Sequence, residues 1–135
     1  MSRFDLFDDD VLFDMRGLDS LTIEIAAVLA RLCLAVEEPL ITYGQLAQKL
    51  SYDISPRNLD NFLGQLSDFC RVHGMPLLTV IVVNQTNLRP GDGFFRYFFP
   101  HVEKENWDAI FVEEYKAVLG FKQWSRLIDS TLYGR

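Results

Sequence analysis

Two consecutive helix starts near the middle of this 135-residue chain constrain its fold more than any other feature. The first is "ITYGQL", in which Thr42 and Gln45 have the spacing of a capping box. In a capping box each of the two side chains accepts a hydrogen bond from a backbone amide that the first helical turn leaves unpaired. Ile41 and Leu46 occupy the two positions of a hydrophobic staple. The spacing predicts a short helix over residues 43–50.

The second helix start is "ISPRNL", which places Ser55 at the N-cap and Pro56 at the first helical position. The helix that follows has apolar residues at i, i+3, i+4 and i+7, and Gly74 suits a left-handed cap at its end. Its predicted buried face consists of Leu59, Phe62, Leu63, Leu66, Phe69 and Cys70. Two capped helices joined by a short turn predict a helix-turn-helix motif whose second helix presents its outer face to a ligand.

The segment after this motif predicts a wing. Residues 77–83, "LLTVIVV", are rich in β-branched side chains and suit a strand that is covered on both faces. The composition of "NQTNLRPGDG" is that of a turn region. "FFRYFF" is then either the returning strand or the start of the next packing element. A helix-turn-helix followed by a hairpin is the plan of a winged helix.

Helices are also predicted on both sides of this core. A helix over residues 21–36, capped by Asp19 or Ser20, is apolar on most faces and should lie centrally. After Glu103, apolar residues recur at helical spacing and predict one or two C-terminal helices. We therefore expect an α+β, mainly helical fold in one domain over residues 1–135. Its parts are an acidic aromatic N-terminal arm (1–19), a winged-helix core (20–100) and C-terminal helices (101–135).

The composition favours a soluble, cytoplasmic protein. Its longest apolar stretch is interrupted by Glu24 and Arg31, so it does not suit a membrane span, and the acidic N-terminus does not suit a secretory signal. The two cysteines, Cys33 and Cys70, lie inside apolar helical patterns without metal-ligand spacing. We expect reduced, buried thiols, no bound metal and no cofactor.

The negative charge of the chain is concentrated at its front. Residues 1–38 contain nine acidic residues and three arginines, so this segment alone carries a net charge of −6. An acidic surface attracts a basic protein and repels phosphate. The opening "SRFDLFDDDVLFDM" is either an arm that packs its aromatic residues on the core or an acidic, aromatic contact surface for a partner.

The segments "LITYGQLAQKL", "SPRNLDNFLGQL" and "GMPLLTVIVVNQ" together resemble the winged-helix domain of the alkylguanine-DNA alkyltransferases and alkyltransferase-like proteins, over residues 28–95. In that family a "PxPIxIPCHR" strand carries the nucleophilic cysteine. The matching "PLLTVIVVNQ" places Val83 at the cysteine, Asn84 at the histidine and Gln85 at the arginine. Valine carries no nucleophile, so the resemblance implies the fold without alkyl transfer. The pattern "PGDGFF…EEYKAVLGFKQW" is also similar to a set of small, uncharacterised bacterial proteins.

The same resemblance bears on nucleic-acid binding in two opposite ways. It places Arg57 where the family has the arginine that fills the space of a flipped base. It also places Asp60 where the family has a glycine next to the target backbone, with Asp68 on the same exposed side. Two carboxylates on this face oppose the phosphate contacts that dominate DNA affinity.

Three functional hypotheses follow, of which catalysis is the weakest. The two histidines, His73 and His101, come with no identifiable nucleophile or carboxylate partner, so we do not expect an enzyme. A winged-helix DNA-binding protein is the second hypothesis, although its best segment lacks a basic stripe. Its candidate DNA contacts are Arg57, Asn58, Asn61, Gln65 and Arg89.

The favoured hypothesis is a non-catalytic, acidic protein-binding module. It predicts an immunity- or inhibitor-type protein that neutralises a basic nuclease or another nucleic-acid-handling protein through charge complementarity. The candidate partner-binding residues are Asp8, Asp9, Asp10, Asp14, Glu37 and Glu38.

Overall fold

The computed structural model describes residues 11–133, which form six α-helices and two very short strands. The helices are α1 (Ser20–Ala35), α2 (Tyr43–Lys49), α3 (Asp60–Val72), α4 (Asp92–Phe98), α5 (Trp107–Gly120) and α6 (Trp124–Tyr133). The strands are β1 (Ile41–Thr42) and β2 (Val82–Val83), and turns of 3-10 helix cover Pro56–Leu59, Leu78–Ile81 and Lys104–Asn106. The prediction of a mainly helical α+β chain is confirmed.

The capping box predicted for α2 is present. The Gln45 backbone amide donates to Thr42 Oγ1 at 3.1 Å, and the Thr42 amide donates to Gln45 Oε1 at 3.0 Å. A helix of seven residues has few internal hydrogen bonds, so the two amides paired by the box are a large share of its polar contacts. The first helix of the predicted motif therefore begins where the sequence indicates.

Replacing Thr42 by alanine is expected to lower the free energy of unfolding by about 1 kcal/mol, the usual cost of losing an N-cap side chain. Thr42→Ser keeps the hydroxyl and should recover most of this loss. Urea unfolding followed by circular dichroism measures both changes. Gln48→Ala, an exposed position of the same helix, is the control, and a loss as large as that of Thr42→Ala would contradict the capping role.

The start of the second helix agrees with the prediction in part, because Ser55 is at the N-cap position but of a 3-10 turn. Ser55 makes no side-chain cap; instead its carbonyl accepts a hydrogen bond from the Asn58 amide at 2.9 Å, in the 3-10 turn Pro56–Leu59. Pro56 does take the first position of that turn, and α3 continues from Asp60. Proline at the first position has no amide to pair, so the tighter turn leaves fewer donors for a serine to cap.

The buried face and the end of α3 follow the prediction. Phe62 is half-buried, and the remaining predicted residues, Leu59, Leu63, Leu66, Phe69 and Cys70, are buried. Gly74 has φ of 72°, and the Met75 amide donates to the Cys70 carbonyl at 2.8 Å across the helix end. This bond has the span of a Schellman cap, which requires the left-handed conformation that glycine adopts without strain.

The seven-residue strand predicted over 77–83 is wrong. Leu78–Ile81 form a 3-10 turn, and only Val82 and Val83 form a strand, which pairs in parallel with Ile41 and Thr42. Every residue from Leu78 to Val83 is buried. A short, buried apolar run does not distinguish strand from helix by its periodicity, so the error follows from the lack of any alternation.

The prediction of a hairpin for the wing is also wrong. The first five residues of "FFRYFF" belong to helix α4 and Phe99 is its C-cap, so of the two interpretations the start of the next packing element is correct. The turn before it is closed by two backbone hydrogen bonds of 2.9 Å, from Asn84 N to Arg89 O and from Leu88 N to Asn84 O. The chain thus leaves β2 through a compact loop and returns as a helix.

Helix α1 lies at the centre of the described structure. It packs against α6, α3 and the 3-10 turn Leu78–Ile81, and its buried residues cover more than one face, as predicted. These buried residues are Leu21, Thr22, Ile23, Ile25, Ala26, Ala27, Leu29 and Ala30. No helix formed by residues 11–133 is long and apolar enough to cross a membrane.

The described end of the N-terminal arm packs on the core. Phe13 and Met15 are buried, and the Phe13 amide donates to Ser130 Oγ at 2.8 Å. Asp14, between them, points to solvent. This part of the arm therefore buries Phe13 and Met15 and exposes Asp14, as the first of the two interpretations expects, while Val11 is exposed. Phe4, Leu6 and Phe7 lie outside the described residues.

Candidate functional site

A cleft of about 770 Å³ lies between α3 and α4. The 3-10 turn Pro56–Leu59 and the first two-thirds of α3 form one side, and residues along the whole of α4 form the other. Asn84, directly after β2, and Tyr43, the first residue of α2, also line it. The cleft thus opens on the helix that the sequence predicts to be the presenting helix.

Helical spacing brings the charged residues of α3 to one edge of this cleft. Arg57, Asp60 and Asp68 line it, and all three side chains are exposed. Asp60, Gly64 and Asp68 follow one another at intervals of four residues, so these three residues share one face of α3. Neither carboxylate forms an ion pair with a residue of the described part of the chain.

Asp92, on the opposite side of the cleft, has a different charge environment. Its carboxylate lies 3.9 Å from Arg96 Nη2 and 3.7 Å from Lys104 Nζ. These exposed pairs offset part of its charge. Asp60 and Asp68, on the α3 side, are therefore the cleft carboxylates without an ion-pair partner in the described residues, and Arg57 supplies one positive charge on the same side.

The floor of the cleft carries two buried hydroxyl groups. Ser67 on α3 and Thr79 in the 3-10 turn Leu78–Ile81 are 1% and 4% exposed, and their side-chain oxygens are 2.5 Å apart. One hydroxyl donates to the other, and neither has a further hydrogen-bond partner among residues 11–133. Because the pair has two protons and shares one bond, one O–H donor remains for a group in the cleft.

Aromatic rings form the walls of the cleft, and one of these rings is that of Tyr43. Its hydroxyl accepts a hydrogen bond from the Gly91 amide at 2.9 Å, and burial raises the pKa of this phenol. A Cβ atom at residue 91 would lie 3.1 Å from the tyrosine hydroxyl, which explains why glycine suits this close approach.

Tyr97 forms the opposite wall. The ring is 63% exposed, and its hydroxyl donates to Asp68 Oδ2 at 3.3 Å. It also packs edge to face on Phe98, with 4.7 Å between ring centroids. An open aromatic face is therefore held beside one of the two unpaired carboxylates.

The strand end that corresponds to the nucleophile position in the resemblance offers only an amide to the cleft. Val83 is completely buried, Asn84 is half-buried and lines the cleft, and Gln85 is exposed on the loop. Valine at this position carries no reactive group, so Asn84 can contribute hydrogen bonds but no covalent step.

Three of the five candidate DNA contacts lie together, and two do not. Arg57, Asn58 and Asn61 are exposed at the start of α3. Gln65 is instead committed to α1: its Nε2 donates to Asp19 Oδ2 at 2.7 Å, and its Oε1 accepts from Thr22 Oγ1 at 3.0 Å. Gln65 as a DNA contact stays a prediction, and an amide with both ends paired has little capacity left for a base.

Arg89, another candidate DNA contact, is held against α5. Its Nε donates to Asp108 Oδ1 at 2.9 Å, and its guanidinium lies 4.3 Å from the ring centroid of Phe111 on α5. A further bond goes to the Leu88 carbonyl at 3.1 Å. The arginine thus fastens the loop after β2 to α5, and Asp108 offsets part of the charge that it could offer to a phosphate.

The predicted partner-binding carboxylates are not brought together. Asp14 precedes α1, whereas Glu37 and Glu38 follow it, and a 16-residue helix rises about 24 Å. All three are exposed. Hydrogen bonds from Arg16 hold the pKa of Asp14 well below its usual range. Asp8, Asp9 and Asp10 lie outside the described residues.

The thiol, imidazole and buried carboxyl groups that could serve catalysis do not line the cleft. Cys33 and Cys70 are free thiols, and burial raises the pKa of each to about 12, so neither is a ready nucleophile. The ring of His73 packs against Phe13 and Phe69 and bonds the Phe69 carbonyl through Nδ1 at 2.9 Å. Burial also raises the pKa of Glu114, on α5.

Within residues 11–133, no group of three or more histidine, cysteine, aspartate or glutamate side chains is placed to hold a metal ion. Neither a protein family model nor a curated protein nor a solved structure matches the chain.

The sequence contained part of the signal for this cleft. The spacing of Asp60 and Asp68 on one helix face could be read directly from the helical period. The contact between Ser67 and Thr79 and the placement of Tyr97 could not, because each joins segments whose relative position depends on packing. The site that emerges is centred on α3 rather than on the acidic N-terminal segment.

Proposed function

We propose that this chain is a non-catalytic module that binds a basic protein partner through the cleft between α3 and α4. The observation that carries the proposal is the pair of unpaired carboxylates, Asp60 and Asp68, on the cleft side of α3. Opposite charges across an interface speed association and select partners. A basic segment carries the positive charges that pair with these carboxylates, whereas a phosphate backbone is negatively charged.

The wider charge distribution supports the same partner class. The chain has a net charge of −6, and Asp14, Glu37 and Glu38 add exposed carboxylates at the two ends of α1. Long-range attraction of this kind acts before contact and guides a basic protein toward an acidic one. The proposal is therefore of a cytoplasmic immunity- or inhibitor-type protein that neutralises a basic nuclease or another nucleic-acid-handling protein. Asp8, Asp9 and Asp10 are further candidate partner contacts of this proposal.

A second candidate is a DNA-binding protein, which one observation favours. Arg57, Asn58 and Asn61 are exposed together at the start of α3, and Arg57 has no ion-pair partner among the described residues. Arginine and asparagine are common readers of base edges. Against this, Asp60 lies between the two asparagines and Arg89 is held by Asp108, so few cations remain for phosphates.

The two candidates are separated by paired binding measurements on the whole 135-residue protein. The probes are a fluorescent peptide rich in lysine and arginine, and a fluorescent DNA duplex. Anisotropy is recorded at about 150 mM salt, where screening limits weak attraction between distant charges. We expect the peptide to bind and the duplex not to bind.

The double change Asp60→Asn/Asp68→Asn is expected to weaken peptide binding at least about tenfold, because each carboxylate lost removes a charge-assisted contact. The matched control is Asp53→Asn/Asp129→Asn, which removes the same charge from two other exposed positions. Equal weakening by both pairs would indicate only a net-charge effect and would contradict the cleft as the binding site. Thermal melts establish that both variants are folded.

An opposite pattern would support the DNA-binding candidate. If the duplex binds and Arg57→Ala abolishes that binding, the protein-binding proposal loses its support. If the basic protein encoded beside this gene co-purifies with the chain and the Asp60→Asn/Asp68→Asn change weakens the complex, the DNA-binding candidate is excluded.

A further inference from the structure

The dimensions of the cleft limit what part of a partner can enter it. Pockets of about 300–1,000 Å³ typically enclose most of a small ligand, and this cleft has a volume of about 770 Å³. It can accept a short extended segment or a few side chains. A folded domain could contribute no more than one loop to it.

Tyr97 and Asp68 offer a combined surface for one side chain in particular. The tyrosine hydroxyl donates to the carboxylate at 3.3 Å, so a flat ring and a negative charge lie side by side at the cleft wall. Arginine satisfies both, because its planar guanidinium stacks on aromatic rings and pairs with carboxylates through two parallel hydrogen bonds. The ammonium group of lysine pairs with a carboxylate only as a point charge.

The fold already places a guanidinium over four other aromatic rings. Arg71 lies 4.9 Å from the Phe98 centroid and Arg89 lies 4.3 Å from that of Phe111. Arg126 lies 4.1 Å from the Phe13 centroid, and Arg96 lies 5.5 Å from that of Trp107. In the described part of the chain no cation lies over Tyr97. This ring is therefore open to a guanidinium from outside the chain.

The cleft floor indicates what the rest of the ligand should provide. The Ser67 and Thr79 hydroxyls share one hydrogen bond and leave one O–H donor, so the complementary ligand atom is an acceptor. The carbonyl oxygen of a peptide backbone is such an acceptor. Asn84, at the mouth, can both donate and accept, as a peptide group requires.

From these contacts, and resting on the function proposed above, we infer that the cleft recognises an arginine side chain on a short extended segment of the partner. Its guanidinium stacks on Tyr97 and pairs with Asp68, and a carbonyl of the same segment accepts the free hydroxyl of the Ser67–Thr79 pair. The preference is for arginine over lysine, which charge alone does not produce.

The test compares a labelled glycine–serine peptide carrying arginines with the same peptide carrying lysines. Anisotropy titrations of the whole protein should give about fivefold tighter binding of the arginine peptide, the ratio that about 1 kcal/mol of cation–π energy produces. Amide shifts in a nitrogen-edited NMR titration should concentrate on α3 and α4.

Two tyrosine variants make the test specific. Tyr97→Ala is expected to remove the preference for arginine, whereas Tyr133→Ala, at another exposed tyrosine in α6, should keep it. If both peptides bind equally and Asp60→Asn/Asp68→Asn weakens both, the proposed function stands and the arginine inference is wrong. If neither peptide binds, both are wrong. If the preference persists in Tyr97→Ala, the assignment to this ring is overturned.

Discussion

Replacing Phe13 by alanine is expected to lower the free energy of unfolding by about 3–5 kcal/mol, the range for truncating a well-packed aromatic residue. Phe13 is 6% exposed and fills a space between three partners. Its ring packs edge to face on Phe69 at 6.2 Å and on His73 at 5.6 Å, while the Arg126 guanidinium lies 4.1 Å from its centroid. Truncation would leave a cavity between α3 and α6, which neither helix can fill without losing its other contacts.

The reference for this change is Val11→Ala, at an exposed position of the same segment. Surface changes of this kind usually alter stability by less than about 0.5 kcal/mol. Urea unfolding of the two variants, monitored by tryptophan fluorescence and circular dichroism, gives both values. A loss below about 1 kcal/mol for Phe13→Ala would mean that the N-terminal segment is not part of the cooperative core.

Replacing Trp124 by alanine is the second large expected effect, again about 3–5 kcal/mol. The side chain is 2% exposed, its ring lies 4.4 Å from that of Phe121, and its Nε1 donates to the Val118 carbonyl at 3.0 Å. This residue begins α6, so the same truncation removes the contact that joins α6 to the end of α5.

Trp124→Phe separates the hydrogen bond from the packing. The Val118 carbonyl also accepts from the Phe121 amide at 3.3 Å, so it keeps one partner when the indole is removed. We therefore expect a loss of only about 1 kcal/mol from the missing bond, with a further cost for the smaller ring. Tyr133→Ala, exposed on the same helix, is the control. Equal losses at Trp124 and Tyr133 would contradict the anchoring role of the buried indole.

Local signals in the sequence predicted the helices well. The capping box at Thr42, the left-handed glycine at position 74 and the apolar period of α3 each depend on residues within one or two helical turns. Interactions of such short range are nearly the same in any fold that contains the helix. For this reason α2 begins and α3 ends where the pattern indicates.

The segment after Gly74 could not be predicted in the same way. Residues 78–81 have the composition of a strand, but a strand requires a partner along its length, and β1 supplies only Ile41 and Thr42. The buried apolar residues instead fold into a 3-10 turn against α1, α3 and α5. Preference for strand is largely a preference for a packed, pleated environment, and that environment is not encoded locally.

The polar residues follow the same division. The sequence determined which side chains are charged, which share a helix face and that position 83 carries no nucleophile. The tertiary structure alone decided that Gln65 bonds to Asp19, that Arg89 pairs with Asp108, and that Asp60 and Asp68 have no ion-pair partner within residues 11–133. Hydrogen bonds and ion pairs between distant segments depend on how helices pack, and the spacing of residues along one helix does not specify that packing.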